Sequence, residues 1–372
     1  MITKWGKLGL KRRTVAILVV IVLVGSVLGG VAYQLITRPK VVSHGDFSFA
    51  MKHGGLERSY TVHVPTKYDG RTAMAVVIML HGRGLTGKGA MNDTGWAEKA
   101  DKVGFLAVFP EATPPDPSKP LHILENPQMW NEGSGRGHAC LRNVDDVGFV
   151  NAIIDDLCSR FVVDEMRIFV TGFSAGAHMT YRLGVELSNR IAAVAPVSGL
   201  FWLNVSKLDY PVPLVCFFGT GDPVVPFRGG VFKNAWGETL TYPSCGDSVM
   251  KWVRLLGCPD KPVEVDDREG VRRVVYGPGR GGSEVVFYTI EGGGHTWPGG
   301  RSALPERLVG KMTYKITATD VIWEFFQKHP RKTDYTNIYI ALVVLVIVIG
   351  LLAFSFRRRK KPTPEPMKKR AF

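Results

Sequence analysis

Gly172-Phe173-Ser174-Ala175-Gly176 sets a serine between two glycines, after the apolar run Arg167–Thr171 and at the start of the helical segment Ala175–Glu186. A strand-to-helix turn of this kind is strained. It needs small neighbours because larger ones would clash with the adjoining strand and helix, and it lifts the hydroxyl out of the sheet. A serine at its own pKa is a poor nucleophile and needs a base. Among nine histidines, His295 has the setting of a base. It stands in Gly292-Gly293-Gly294-His295-Thr296-Trp297-Pro298-Gly299-Gly300, read as a flexible glycine loop past the strand that ends at Ile290. His178 shares a helical face with Ser174 but points down the helix, and is read as packing against the sheet.

An acid must hold the imidazole in the right tautomer and stabilise its charged form. For a serine on such a turn, the chain order is serine, acid, histidine. Asp222 fits, in Gly219-Thr220-Gly221-Asp222-Pro223-Val224-Val225-Pro226, directly past the strand Pro213–Phe218. Functional groups of parallel sheets gather at such carboxyl ends. The developing oxyanion needs N–H donors already in place. Ala175, next to the nucleophile, supplies one. Arg83, in His81-Gly82-Arg83-Gly84 after the strand Ala75–Leu80, supplies the other through its main chain. Trp130, Trp202 and Trp297 are candidates for an aromatic substrate cleft. No CxxC or HExxH pattern occurs, so neither a metal nor another cofactor is expected.

The elements that must position these groups alternate. Strands are expected at Ala75–Leu80, Phe105–Phe109, Arg167–Thr171, Ala192–Val197 and Pro213–Phe218, and helices at Trp96–Val103, Asp145–Leu157, Ala175–Glu186, Ser248–Leu256 and Thr319–Lys328. This order predicts an α/β fold, a mostly parallel sheet with helices on both faces. Arg58–Val64 is expected to pair with Asp46–Met51 at the sheet edge. Val271–Tyr276 and Glu284–Ile290 are expected to form a hairpin. Pro110–Pro127, with six prolines, reads as a surface loop.

Two apolar runs flank this domain. Residues 14–37 carry no charge over 24 positions, and residues 335–356 centre on twelve consecutive apolar residues from Ile338 to Ile349. About 20 apolar residues cross a bilayer as a helix. Residues 1–13 hold five cations and no acid, and residues 357–372 hold eight cations and one acid. These tails account for +12 of the formal net charge of +14, so a basic surface for nucleic acid is not indicated on the part between. Positive flanks stay cytoplasmic. The expected organisation is a cytoplasmic tail (1–13), a transmembrane helix (14–37), an extracytoplasmic domain (38–334), a second transmembrane helix (335–356) and a cytoplasmic tail (357–372). A cleaved signal peptide ending near Gly30-Val31-Ala32 is the alternative for the first run. The five cysteines allow two disulfides and a free thiol in any of 15 arrangements. Cys216, inside an apolar run, reads as a core residue.

With these motifs in view, the chain resembles the poly(3-hydroxybutyrate) depolymerase and feruloyl esterase group of the α/β hydrolases, akin to carbohydrate esterase family 1. The matching pieces are Arg58 to Pro65, Leu80-His81-Gly82, Ala100 to Pro110, Val144-Asp145-Asp146-Val147-Gly148-Phe149, Thr171 to Gly176, Gly219 to Pro226 and His295 to Gly300. They span roughly residues 45–328, and the Asp-Asp-Val-Gly-Phe and His-Thr-Trp-Pro-Gly-Gly blocks are the more specific ones. The resemblance implies Ser174, Asp222 and His295 as a triad, secretion, and ester cleavage through an acyl-enzyme. Two features depart from the group: the double anchor, and Arg83 where a small residue or cysteine is expected. The expected partners are a small or oligomeric ester and the membrane. An acyltransferase with the same triad, and an inactive fold that only binds, stay open as alternatives.

Overall fold

Continuous apolar runs become strands buried on both faces, as Met74–Leu80 and Leu214–Gly219 do along their whole length. The computed structural model describes residues 43–233, 239–302 and 304–332, together with Val343 and Val348. Its strands are β1 Gly45–His53, β2 Leu56–Val64, β3 Met74–Leu80, β4 Leu106–Pro110, β5 Val163–Phe173, β6 Ala193–Val197, β7 Leu214–Gly219, β8 Gly230–Lys233, β9 Thr239–Tyr242, β10 Glu264–Arg268, β11 Val271–Tyr276 and β12 Val285–Ile290. Ten of them form one sheet in the order β1-β2-β4-β3-β5-β6-β7-β12-β11-β10, while β8 and β9 pair separately. The run from β4 to β12 in that order is parallel. Both edges are antiparallel, through β1–β2–β4 on one side and β12–β11–β10 on the other.

The pleat of β3 shows how the core divides. Val76, Ile78 and Leu80 face one apolar layer with Phe149, Ile153, Tyr181 and Trp252. Ala75, Val77 and Met79 face the other, with Trp96, Trp323 and Phe326. Helices Asp146–Arg160, Ala175–Glu186 and Cys245–Leu256 therefore cover one face of the sheet, and Trp96–Val103 and Ala318–Lys328 cover the other. The consequence for chemistry is geometric. β3, β5, β7 and β12 run parallel, so the loops after Leu80, Phe173, Gly219 and Ile290 all leave the same end of the sheet.

Most expected elements are present with bounds shifted by a few residues. The hairpin of β11 and β12 forms, and β12 also pairs with β7. The exposed strand β10 and the helix Gly87–Thr94 were not expected. All five cysteines are free thiols, and Cys216 is fully buried as expected. Among the described residues no helix is long and apolar enough to cross a membrane. The expected spans 14–37 and 335–356 lie outside the described residues, Val343 and Val348 apart.

Candidate active site

Ser174 joins β5 to helix Ala175–Glu186 at φ 56° and ψ −118°. A non-glycine residue there costs on the order of 1–3 kcal/mol and survives only where its surroundings impose it. They do so here. A Cβ on Gly172 would lie 2.3 Å from the Gly176 carbonyl oxygen, and one on Gly176 would lie 2.1 Å from the Leu80 carbonyl oxygen. The Ser174 N–H donates to the Val197 carbonyl at 3.0 Å, which fixes the turn against β6.

His295 Nδ1 and Asp222 Oδ2 lie 2.7 Å apart, and both side chains are almost wholly buried. The other Asp222 oxygen accepts the N–H groups of Val224 and Val225, each at 2.8 Å. A carboxylate so saturated cannot rotate, and it leaves Nε2 as the histidine's free face. The Phe173 ring, next to Ser174 in sequence, lies 4.8 Å from the imidazole, centroid to centroid. The glycines around His295 do not make a flexible loop, contrary to the sequence expectation. Gly221 N–H donates to Gly293, Gly294 N–H donates to Lys311, and His295 N–H donates to Val309. A Cβ on Gly219 would lie 2.1 Å from the Gly293 carbonyl oxygen. The glycines let the acid loop and the histidine loop touch backbone to backbone.

His81 anchors the third loop. It is buried, and burial pushes its pKa down. Ala112 N–H donates to its Nε2 at 3.1 Å, so Nδ1 carries the proton and donates to the Gly82 carbonyl at 2.8 Å. Gly82 lies against Ser174, since a Cβ there would sit 3.2 Å from the Ser174 Cβ. Arg83 and Ala175 both wall the open cleft that also holds Ser174. The Ala175 N–H opens its helix, where first-turn donors have no partner within the helix. A second hollow of about 50 Å³ adjoins Gly82, Phe173 and His295, with Met79, Leu85 and Leu304 as apolar walls.

The three tryptophans separate. Trp202 lines the cleft with Ser174. Trp130 does not. It is buried, donates from Nε1 to the His81 carbonyl at 2.9 Å and packs 5.1 Å from the His81 ring, so it supports the loop rather than the substrate. Trp297 is also buried and donates to Thr319 at 2.9 Å, but it lines the second hollow.

Several cleft residues escaped the sequence reading. His178 does not merely pack on the sheet; it lines the cleft, with Nδ1 3.9 Å from Glu132 Oε1. Burial pushes the Glu132 carboxyl up, but His178, the Cys140 thiol and the Ser134 hydroxyl together bring it down to about 2. The segment that carries Glu132, Ser134 and Arg136 hangs from the Asp-Asp-Val-Gly-Phe block. Asp145 caps its helix by accepting Gly148 N–H at 2.9 Å. Asp146, buried, takes Arg58 at 2.7 Å and the Asn131 N–H at 2.6 Å. Burial raises the Asp146 carboxyl and lowers the Arg58 guanidinium.

Residues 65–241 match the family model described as Phospholipase/Carboxylesterase. The chain is similar to Feruloyl esterase B of Piromyces equi, at 33% identity over 45% of this chain and 31% of that protein. It thus spans under a third of that relative's length. It is also similar to the putative esterase NocK of Nocardia uniformis subsp. tsuyamanensis, at 25% identity over 73% of this chain and 79% of that one. A solved structure, pOPH in complex with DMSO, shares the fold at TM-score 0.50 and 15% identity, over 80% of this chain and 90% of that one. The chain thus has the α/β-hydrolase fold and is similar in sequence to proteins named as feruloyl esterases.

Proposed function

We propose that this chain hydrolyses carboxylic esters with Ser174 as nucleophile, His295 as general base and acid, and Asp222 as the residue that orients the imidazole. The observation that carries the reading is the buried 2.7 Å Asp222–His295 bond at the same sheet end as a serine held at positive φ. Ser174 Oγ attacks the ester carbonyl carbon and its proton passes to His295 Nε2. The carbonyl oxygen takes the negative charge and is met by the N–H groups of Ala175 and Arg83. The imidazolium then protonates the departing alkoxide, leaving an acyl-serine. Water repeats the sequence, giving its proton to His295 and releasing the acid.

Relatives named as feruloyl esterases support an ester substrate, and the poly(3-hydroxybutyrate) depolymerase likeness remains a proposal from the motifs. The hollow of about 50 Å³ beside His295 is a candidate seat for a small group on one side of the ester. Small or soluble esters are therefore preferred over solid polyester. The test is an ester panel (p-nitrophenyl acetate and butyrate, methyl ferulate, hydroxybutyrate oligomers) offered to the full-length chain and to Ser174→Ala. Turnover of at least one ester that vanishes in the variant supports the reading. Equal turnover by both refutes it.

The apolar runs and basic tails further support a domain held outside the cytoplasm by two spans, with both termini inside. Protease added to intact cells, after permeabilising any outer membrane, should reach the domain and neither terminus. Digestion of the domain only after lysis would exclude this orientation.

A further inference from the structure

We propose that Arg136, laid across Trp202 and Tyr242 in the cleft that holds Ser174, selects esters carrying a carboxylate. The inference rests on the ester-hydrolase reading above and names the substrate class for it.

The Arg136 guanidinium lies 4.3 Å from the Trp202 ring centroid and 5.4 Å from that of Tyr242. The two rings are themselves 5.9 Å apart. All three residues wall the cleft with Ser174 and Ala175. Among the described residues Arg58 and Arg160 also stack on rings, and both are also bound to a carboxylate. Arg58, over Phe149, pairs with Asp146, and Arg160, over Phe49, pairs with Asp156. Arg136 has no such partner among the described residues. Among the described residues its guanidinium makes one hydrogen bond, a long contact of 3.4 Å to the Thr241 carbonyl. Stacking uses the flat face of a guanidinium and leaves its edge, a fork of N–H donors shaped for two oxygens of a carboxylate.

The rest of the cleft agrees. The indole N–H of Trp202 is buried and has no acceptor among the described residues. The carboxylate among the cleft's described residues, Glu132, bonds to Ser134 and Cys140 and lies 3.9 Å from His178, and it forms no ion pair with Arg136. An incoming carboxylate would meet the edge of an ordered cation, which a neutral ester would leave unanswered.

Two matched ester pairs test this on the full-length chain. One places the charge on the acyl side (p-nitrophenyl hemiglutarate against p-nitrophenyl pentanoate). The other places it on the alcohol side (4-carboxyphenyl acetate against 4-carbamoylphenyl acetate). In at least one pair the charged-to-neutral ratio of kcat/KM should fall about tenfold in Arg136→Gln, mainly through KM, and Arg136→Lys should keep part of it. Inhibition provides an arm free of any folding defect: with the wild-type chain, glutarate should compete with a neutral ester more strongly than glutaramide. Ratios within about twofold of wild type in both pairs, or equal inhibition by acid and amide, would overturn the assignment of Arg136. Loss of every Ser174-dependent turnover would instead bring down the hydrolase reading, and this inference with it.

Discussion

Gly219→Ala tests whether the backbone contact between the acid loop and the histidine loop sets catalytic geometry. The new Cβ would stand 2.1 Å from the Gly293 carbonyl oxygen and 2.4 Å from its carbon, where ordinary contact begins at 3.4 Å. One loop must therefore retreat by about 1 Å, because the opposing atoms are backbone and cannot rotate away. Gly293 lies two residues before His295, and its carbonyl also accepts the Gly221 N–H next to Asp222. A displacement of about 1 Å at a reacting group can cost on the order of 100-fold in rate. The overpacking itself should cost about 1–3 kcal/mol of stability. Gly221→Ala is the control, since its Cβ would meet Gly292 at 3.1 Å and needs only a few tenths of an ångström. Initial rates on a short ester, with urea unfolding of each variant, read both effects. Gly219→Ala should lose about 100-fold in kcat and Gly221→Ala much less. A folded Gly219→Ala chain with wild-type kcat would show that this contact does not position the histidine.

Asp222→Asn keeps the shape but favours the wrong imidazole tautomer, and kcat should drop by up to ~10⁴-fold, as in serine proteases with the same arrangement; steady-state kinetics on the best ester of the panel checks it. Arg58→Leu strands Asp146 as an unpaired buried carboxylate and should cost about 3–5 kcal/mol in denaturant unfolding, with Asp146→Asn in the same chain restoring part of the loss. Glu132 is held at about 2, below its usual 4.5, so its contribution is complete above about pH 4.5 and is lost as pH falls towards 2. Stability of the wild type should therefore fall more steeply over that window than that of Glu132→Gln, by about 3 kcal/mol in total; parallel slopes in urea unfolding would contradict the Glu132 environment.

The parallel strands, and the gathering of Ser174, Asp222 and His295 at one end of the sheet, were legible in the sequence because their signals are local. β3, β6 and β7 are continuous apolar runs, and the serine, acid and histidine each follow a strand end by a few residues. β10 was not legible. Glu264-Val265-Asp266-Asp267-Arg268 is mostly exposed, and only antiparallel pairing with β11 makes it a strand. The proline-rich segment Pro110–Pro127 reads as surface, and residues 117–122 are exposed, but near its end Asn126 is buried, held within the segment by Asp116, Lys119 and Pro120. It leads into buried Gln128 and Trp130, whose polar groups are satisfied by residues distant in sequence, Leu85, Glu111 and His81. Trp130 and Trp202 look alike as residues, and only the fold shows that one props the His81 loop while the other walls the cleft. His178 was visible as a neighbour of Ser174 one turn along, but its partner Glu132 lies 46 positions earlier and no spacing rule connects them.

The most direct measurement of the central claim is covalent labelling. The full-length chain is treated with a fluorophosphonate probe, digested and sequenced by mass spectrometry, alongside Ser174→Ala and His295→Ala. An activated serine predicts one modified residue, Ser174, in the wild type. It predicts no label in Ser174→Ala and strongly slowed labelling in His295→Ala, because nucleophile and base act as a unit. Labelling at another residue, or equal labelling of folded Ser174→Ala, would contradict the assignment of the nucleophile and the hydrolase mechanism built on it.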